Sequence, residues 1–556
     1  MSKLSQKNDG APAGLYRQDG GHILAHLFVS FGLLAVGGAY GTLQALDKMG
    51  VDLYPLLPGV LRFYYTGLTV HGVTLAILFT AFFIMGFLSL AVVHGLRRPL
   101  ADRGLAWAAF AIAATGLFAL MVPTFRNQAS VLWTFYAPLR AHPGFYLGLA
   151  LVALASWMTA LNTYLTWRGW KAENADDRTP LMAFAALTTW AMWVLASVGL
   201  AGALAFQLLP WALQIQETVN PLLTRALFWF SGHPLVYFWL LPAYLSWYTM
   251  LPAQVGGRLF SESLARLVFL LFIPLSIPTG LHHMYTDPGV AHGSKVFHGI
   301  LTYAVIFPSL VTAFTVVASI EDGARRNGGR GRLKWLLALP WFTNPSVAAQ
   351  LLAMLIFATG GITGLLNASL NMNLILHNSM WVVGHLHTQV GAAVTLTFMG
   401  ISYWLVPLLT GRSLWRRRWA VIQVWSWFFG AAIMARGMHW LGLAGGPRRT
   451  YLTHADYAVA EWWQAGLLTG VGGMIMTVSG LLFLLNITVT LWNHKKAGPL
   501  QVPEAEPLHR VERMPVLLDR ITPWVLLTVV LAALAWGLPL WRAATTFPSV
   551  PGYTPW

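Results

Sequence analysis

The strongest constraint in this sequence is a succession of apolar runs, each close to the roughly 20 residues a helix needs to cross the bilayer hydrocarbon. About 13 can be read: His22–Leu46, Phe63–His94, Leu105–Val122, Gly144–Trp167, Leu181–Leu213, Pro221–Leu251, Leu264–Met284, Phe297–Ile320, Val347–Leu366, His377–Leu409, Ala420–Ala444, Ala460–Leu491 and Pro523–Trp541. No tract rich in Pro, Gly or Ser divides them, and no internal repeat is visible. The pattern predicts an all-α integral membrane protein in one bundle. A cytoplasmic N-terminal segment would cover residues 1–21, the transmembrane bundle 22–541, and an extracytoplasmic tail 542–556.

Composition agrees. Of the 556 residues, 56% are hydrophobic and 10% charged, where a soluble chain carries about 25% charge. The 27 Trp and 17 Tyr suit helix ends at the membrane interface. The N-terminal stretch is polar, so no secretory signal peptide is expected. Cysteine is absent, which excludes disulfides, thiolate metal sites, a covalently attached CxxCH haem and an iron–sulfur cluster.

The net charge of +16 would suit nucleic acid, but its placement argues against that. With the N-terminus in the cytoplasm, the basic groups Lys3, Lys7 and Arg17, then Arg97, Arg98 and Arg103, Arg325 to Lys334, Arg416 to Arg418, and Lys495 to Arg520 fall inside. About 25 of the 35 Lys and Arg lie there against about 9 outside, as the positive-inside rule requires. The basic character reports topology and contact with anionic lipid, and no nucleic-acid partner is needed.

Within this frame the informative residues are histidines inside spans, where an imidazole without a partner is costly. In Gly384-His385-Leu386-His387 the two histidines turn about 200° from one another around a helix. One metal cannot easily take both. A helix wedged between two flat metal macrocycles, giving one ligand to each, fits the spacing. His71, His233, His282 and His283 fall by residue count in the same outer half of the bilayer. Six imidazoles from four helices meeting at one depth point to a metal centre.

Two kinds of site follow. His71 and one histidine of the doublet would give a haem two axial imidazoles, a closed site for electron transfer. The other would hold a second haem with one face open. His233, His282 and His283 suit copper or another first-row metal with an open position. The turn signal Thr286-Asp287-Pro288-Gly289 lets the helix end distort, so that both neighbouring rings reach one ion.

Tyr237 lies one turn deeper than His233 on the same face, and Tyr244 and Tyr248 continue it toward the cytoplasm. Thr302, Ser309, Thr312 and Thr315 form a second stripe on the eighth run. All 19 Asp and Glu fall in loops or near helix ends. A proton path must therefore run through hydroxyls and water.

The motifs Ser231-Gly232-His233-Pro234-Leu235-Val236-Tyr237-Phe238-Trp239, Gly280-Leu281-His282-His283 and Gly384-His385-Leu386-His387 resemble subunit I of the haem–copper oxygen reductases. Leu235 in place of a glutamate, with Tyr244, Tyr248, Ser309, Thr312 and Thr315, resembles the B-family cytochrome c oxidases, from about His22 to the C-terminus. The resemblance implies a low-spin haem, of b type, on His71 and His387. It implies a high-spin haem, of a type, on His385, and one copper, CuB, on His233, His282 and His283. Tyr237 would be cross-linked to His233 and give an electron and a proton to O–O cleavage. Arg448 and Arg449 would clamp haem propionates, in keeping with the bidentate grip of Arg on carboxylates. The implied partners are O2, a subunit II carrying a dicopper centre, cytochrome c or a similar donor acting through that subunit, small subunits and membrane lipid. The implied location is the cytoplasmic membrane of a bacterium or archaeon.

One departure from that pattern matters. The family carries an aspartate where this chain has Asn373, four residues before His377, beside the high-spin haem propionates where a pumped proton is held. An amide does not titrate, so His377 or a propionate is expected to take over, or pumping to be weaker. Arg436, inside the eleventh run, would contact a propionate or snorkel outward. The leading reading is a terminal oxidase coupled to proton uptake and pumping. A nitric oxide reductase on this scaffold would carry non-haem iron for copper, usually with a glutamate ligand and without the tyrosine. A carrier would show inverted repeats and broken helices at the midplane, and neither is legible.

Overall fold

The structure, a computed structural model, describes residues 15–493, 495–497, 500–509 and 513–555. Lys3, Lys7 and Arg510, and most of segment 1–21, lie outside them. The long helices are α1 Leu15–Lys48, α2 Tyr64–Leu96, α3 Arg103–Phe125, α4 Pro143–Glu173, α5 Leu181–Ala212, α6 Pro221–Thr249 and α7 Glu262–Met284. They continue as α8 His292–Arg326, α9 Pro345–Ala368, α10 Met380–Thr410, α11 Arg417–Leu443, α12 Ala460–Trp492 and α13 Thr522–Thr546. Among the described residues, 11 helices are long and apolar enough to cross a membrane. α6 and α11, at 29 and 27 residues, have the length but are diluted by polar and aromatic side chains. The expected all-α membrane bundle is what the chain forms.

The helices start where side chains satisfy the first backbone donors. Asp102, Asn220, Ser261 and Asn344 each accept from the main chain of the first turn of α3, α6, α7 and α9. Close helix approaches use small residues, as expected where lipid supplies no hydrophobic drive. α3 meets α4 at Gly116 and Gly148, and α11 meets α12 at Gly430 and Gly472. α2 is almost wholly buried, whereas α13 lies at the rim. Exposed Phe206, Leu310, Leu355, Val478 and Leu534 make the outer surface apolar.

The regular runs conceal local departures. α2 widens to π geometry over Val73–Phe79, α5 over Leu204–Leu208 and α10 over His387–Val394. Such bulges are frequent at functional sites. α7 ends in a 3-10 turn, Ile277–Met284, with Pro278 out of helical geometry because proline cannot continue the ladder. α8 is broken at Val305 into His292–Ala304 and Ile306–Arg326. α10 begins at Met380 rather than His377, because Asn378 has φ 58° and Ser379 caps the helix through Trp381 N–H. The tail crosses back to pair Val550–Pro551 antiparallel with Thr218–Val219.

Candidate metal centre

His233, His282 and His283 bring one ring nitrogen each to within 4.8 Å of one another, the only such group among the described residues. Pro234 removes one backbone donor from α6 directly beside His233. The 3-10 end of α7 brings the neighbouring rings of His282 and His283 to 4.1 Å between centroids, closing the divergence a regular helix would impose. His233 Nδ1 stands 3.3 Å from His283 Nε2, and His233 Nε2 3.1 Å from the Tyr237 hydroxyl. Thr302 Oγ1 lies 3.0 Å from His282 Nδ1, and the Trp229 indole stacks on His283 at 3.7 Å. Three imidazoles oriented from outside by a hydroxyl and an indole form a donor set for copper or zinc.

The other three histidines fall into two environments. His71 on α2 and His387 on α10 face one another with ring centroids 6.1 Å apart and planes within 10°. That separation would accommodate one metal bound by both rings at about 2 Å from each nitrogen. His71 Nδ1–H donates to the Gly37 carbonyl and His387 Nδ1–H to the Val383 carbonyl, both at 2.9 Å. Each Nε2 is thereby left available to ligate a metal. His385 turns away from that pair. Its Nδ1 is held by the Gly360 carbonyl at 3.1 Å and Thr363 Oγ1 at 3.0 Å. Glycine is required behind two of these rings. A Cβ at Gly41 would stand 2.8 Å from His71, and one at Gly364 2.8 Å from His385.

All six rings line one cavity of about 1310 Å³, more than the roughly 300–1,000 Å³ of a single drug-sized ligand site. Among the described residues its charged lining consists of Lys48, Arg448 and Arg449, with no carboxylate. Among the described residues neither arginine makes an ion pair. Burial, reinforced by neighbouring Arg448, pulls the Arg449 guanidinium down to about 10. Asp287, the carboxylate that acts on Arg448, is already ion-paired with Arg225, so positive charge remains in excess here, and carboxylate-bearing macrocycles would fit the space, the ring pair and that charge.

The predicted outer residues gather at this end. Arg448 is pinned by its N–H to the Asn378 carbonyl at 2.8 Å, and Arg449, at φ 73°, donates to Thr134 Oγ1 at 3.1 Å. His377 Nδ1 lies 3.0 Å from Asn373 Oδ1, while Asn373 Nδ2 donates to the Asn367 carbonyl at 2.6 Å. Burial, with Arg448 and Arg225 nearby, lowers His377 to about 4. Arg436 sits exposed with its guanidinium 5.6 Å from the Trp440 ring, away from the cavity lining.

The hydroxyl stripes meet across helices. Tyr244 OH donates to Ser309 Oγ at 3.1 Å and Tyr248 OH to Thr312 Oγ1 at 2.9 Å. Among the described residues Thr315 Oγ1, next to Tyr248, is buried without a well-formed hydrogen bond, leaving capacity for water. Thr302 departs from the single stripe expected of α8: the break at Val305 separates it, and its hydroxyl serves His282.

Sequence reading missed the supports of these histidines. Gly37, Gly360 and Val383 act through carbonyls, which leave no trace in side-chain patterns. Thr363 and Trp229 have a signal only once the histidines they touch are known. Lys48, a charge at the end of a span, was legible as interfacial but not as cavity-lining.

Residues 22–475 match the family described as cytochrome c and quinol oxidase polypeptide I. A cytochrome c oxidase subunit 1 of Thermus thermophilus is 42% identical over 544 residues, 96% of either chain. One from a Bacillus species is 28% identical over 494 residues, 84% of this chain and 75% of that one. Among solved structures, a haem–copper terminal oxidase dimer matches with TM-score 0.91 and 33% identity, covering 97% of this chain and 95% of that chain. The chain belongs to the cytochrome c and quinol oxidase polypeptide I family.

Proposed function

We propose that this chain is the catalytic subunit of a terminal oxidase, a B-family cytochrome c oxidase that reduces O2 to water and translocates protons. It is a multi-pass protein of the cytoplasmic membrane. The observation that carries the reading is the pairing of a three-imidazole cluster with a separately oriented His385, next to a facing His71–His387 pair. In this reading His71 and His387 hold a low-spin haem of b type, His385 a high-spin haem of a type, and His233, His282 and His283 the copper CuB. Arg448 and Arg449 receive propionates, with Asn373 and His377 beside them.

When bound, the high-spin haem and copper supply a binding place and electrons for O2. The overall reaction takes four electrons and four protons to two waters. The chain's own part is to orient and to deliver protons. Thr302 and Trp229 fix the copper-side imidazoles, and the Gly360 carbonyl and Thr363 fix His385. Tyr237 donates its phenolic proton and an electron. Tyr244, Tyr248, Ser309, Thr312 and Thr315 pass protons inward from the cytoplasm. The bundle counts thirteen spans with the N-terminus inside, with segment 1–21 and tail 542–556 on opposite sides. Electrons arrive from cytochrome c or a similar donor through a subunit II with a dicopper centre, with small subunits and lipid completing the assembly.

A nitric oxide reductase is disfavoured because no carboxylate lines the cavity and the Tyr237 hydroxyl is within reach of His233. The test is a reduced-plus-carbon-monoxide spectrum with oxygen uptake. Two haem components, one binding carbon monoxide, and azide- or cyanide-sensitive oxygen consumption are expected. A protein without a Soret band would overturn the reading.

A further inference from the structure

The outer end of α1 carries a buried ion pair that the proposed chemistry does not use. Asp47 is fully buried and Lys48 is 6% exposed, with Lys48 Nζ 2.6 Å from Asp47 Oδ2. Placing both charges away from water is costly unless their hydrogen bonds are complete, and here they are. Lys48 also donates to the Thr450 carbonyl at 2.6 Å and contacts Tyr64 OH at 3.2 Å. Asp47 accepts from Leu452 N–H at 3.1 Å, and from Thr453 N–H at 3.0 Å and its hydroxyl at 2.8 Å. The pair thus ties α1 to the loop that follows Arg448 and Arg449.

Its place on the helix is specific. Gly37, which accepts from His71, and Gly41, which the His71 ring covers, are followed at one- and two-turn spacing by Gln44 and Lys48. Residues at +4, +7 and +11 share one helix face. That face lines the cavity at Gly41, Gln44 and Lys48. Lys48 stands about 10 Å above Gly41 at 1.5 Å per residue. It is the one cation of the cavity wall contributed by the helix behind His71, while the other two come from the arginine loop.

We propose that Lys48 is a positioning residue for the low-spin haem: its charge, partly offset by Asp47, raises that haem's reduction potential, and its bond to Thr450 holds the arginine loop in place. The proposal rests on His71 and His387 holding that haem. In a low-dielectric wall a fixed cation favours the reduced, less positive macrocycle.

The test is spectroelectrochemical titration of the low-spin haem in the membrane-extracted enzyme. Lys48→Met leaves Asp47 uncompensated and should lower the reduced-to-oxidised ratio at the wild-type midpoint at least tenfold, about 59 mV for one electron. The double variant Asp47→Asn, Lys48→Met removes more of the clasp yet restores neutrality, so its potential should return toward wild type. Lys48→Arg should stay within twofold, and the carbon monoxide spectrum of the high-spin haem should not move. A purely structural clasp would make the double variant worse than the single one, and that result, or no shift in Lys48→Met, overturns the proposal. If Lys48→Met does not retain the haem, the double variant decides. Haem kept at a potential within tenfold of wild type supports the charge role, and haem lost there too contradicts it. A wild-type protein with no low-spin spectrum would instead remove the underlying haem assignment.

Discussion

The imidazoles of His71 and His387, 316 positions apart in the chain, face each other across 6.1 Å with planes within 10° of parallel. Each is locked in one tautomer by a backbone carbonyl, so both present the same atom to the space between them. His71→Ala should therefore abolish the low-spin haem spectrum while leaving carbon monoxide binding at the other haem. Equal loss of both components would mean the two histidines do not define a separate site.

The Tyr237 hydroxyl lies 3.1 Å from His233 Nε2, at the edge of the three-histidine cluster. Tyr237→Phe preserves volume and removes the proton donor. Both haems should remain, and turnover should fall by on the order of 10²–10⁴, the range of a positioned proton-transfer group. Near-normal oxygen uptake with normal spectra would remove the role given to Tyr237.

The Tyr248–Thr312 hydrogen bond joins the two hydroxyl stripes. Thr312→Val, close in shape but without the hydroxyl, should slow proton uptake from the cytoplasmic side by on the order of 10²-fold. Thr312→Ser should restore much of it. If stopped-flow proton uptake is unchanged in Thr312→Val, the path lies elsewhere.

His377 sits between Asn373 and the arginines, and burial with Arg448 and Arg225 nearby brings its pKa to about 4. Its folded pKa lies below the unfolded value near 6.5, so its burial is neutral to stability at pH 7 and destabilising as pH falls from about 6.5 to about 4. It charges at neutral pH only when an anion such as a propionate stands beside it. His377→Ala should then lower the proton-to-electron ratio. A ratio equal to that of relatives and indifferent to this substitution would reject a role for His377 in holding the pumped proton.

The helices were legible because lipid imposes length and apolarity on every span: nine of the thirteen runs match the observed helices to within three residues at both ends, while α1, α4, α8 and α13 extend five to seven residues beyond the apolar run. The histidines proposed as ligands were legible because a polar ring in that setting is conspicuous. Their fine placement was not. The spacing of His385 and His387 already turned them toward different sites, but the π segment starting at His387 has no composition of its own. The break at Val305 is equally silent, and it moves Thr302 from the expected stripe to His282. Asp47 and Lys48 read as ordinary helix-end charges, because their burial is created by a loop some 400 residues away.

Copper and iron content gives the most direct check on the central claim, that His233, His282 and His283 hold a copper distinct from the two haem irons. Elemental analysis of the purified wild-type enzyme and of His283→Ala should show one copper fewer in the variant for every two irons, with both irons retained. Equal copper in the two proteins, or iron with no copper at all, would contradict it.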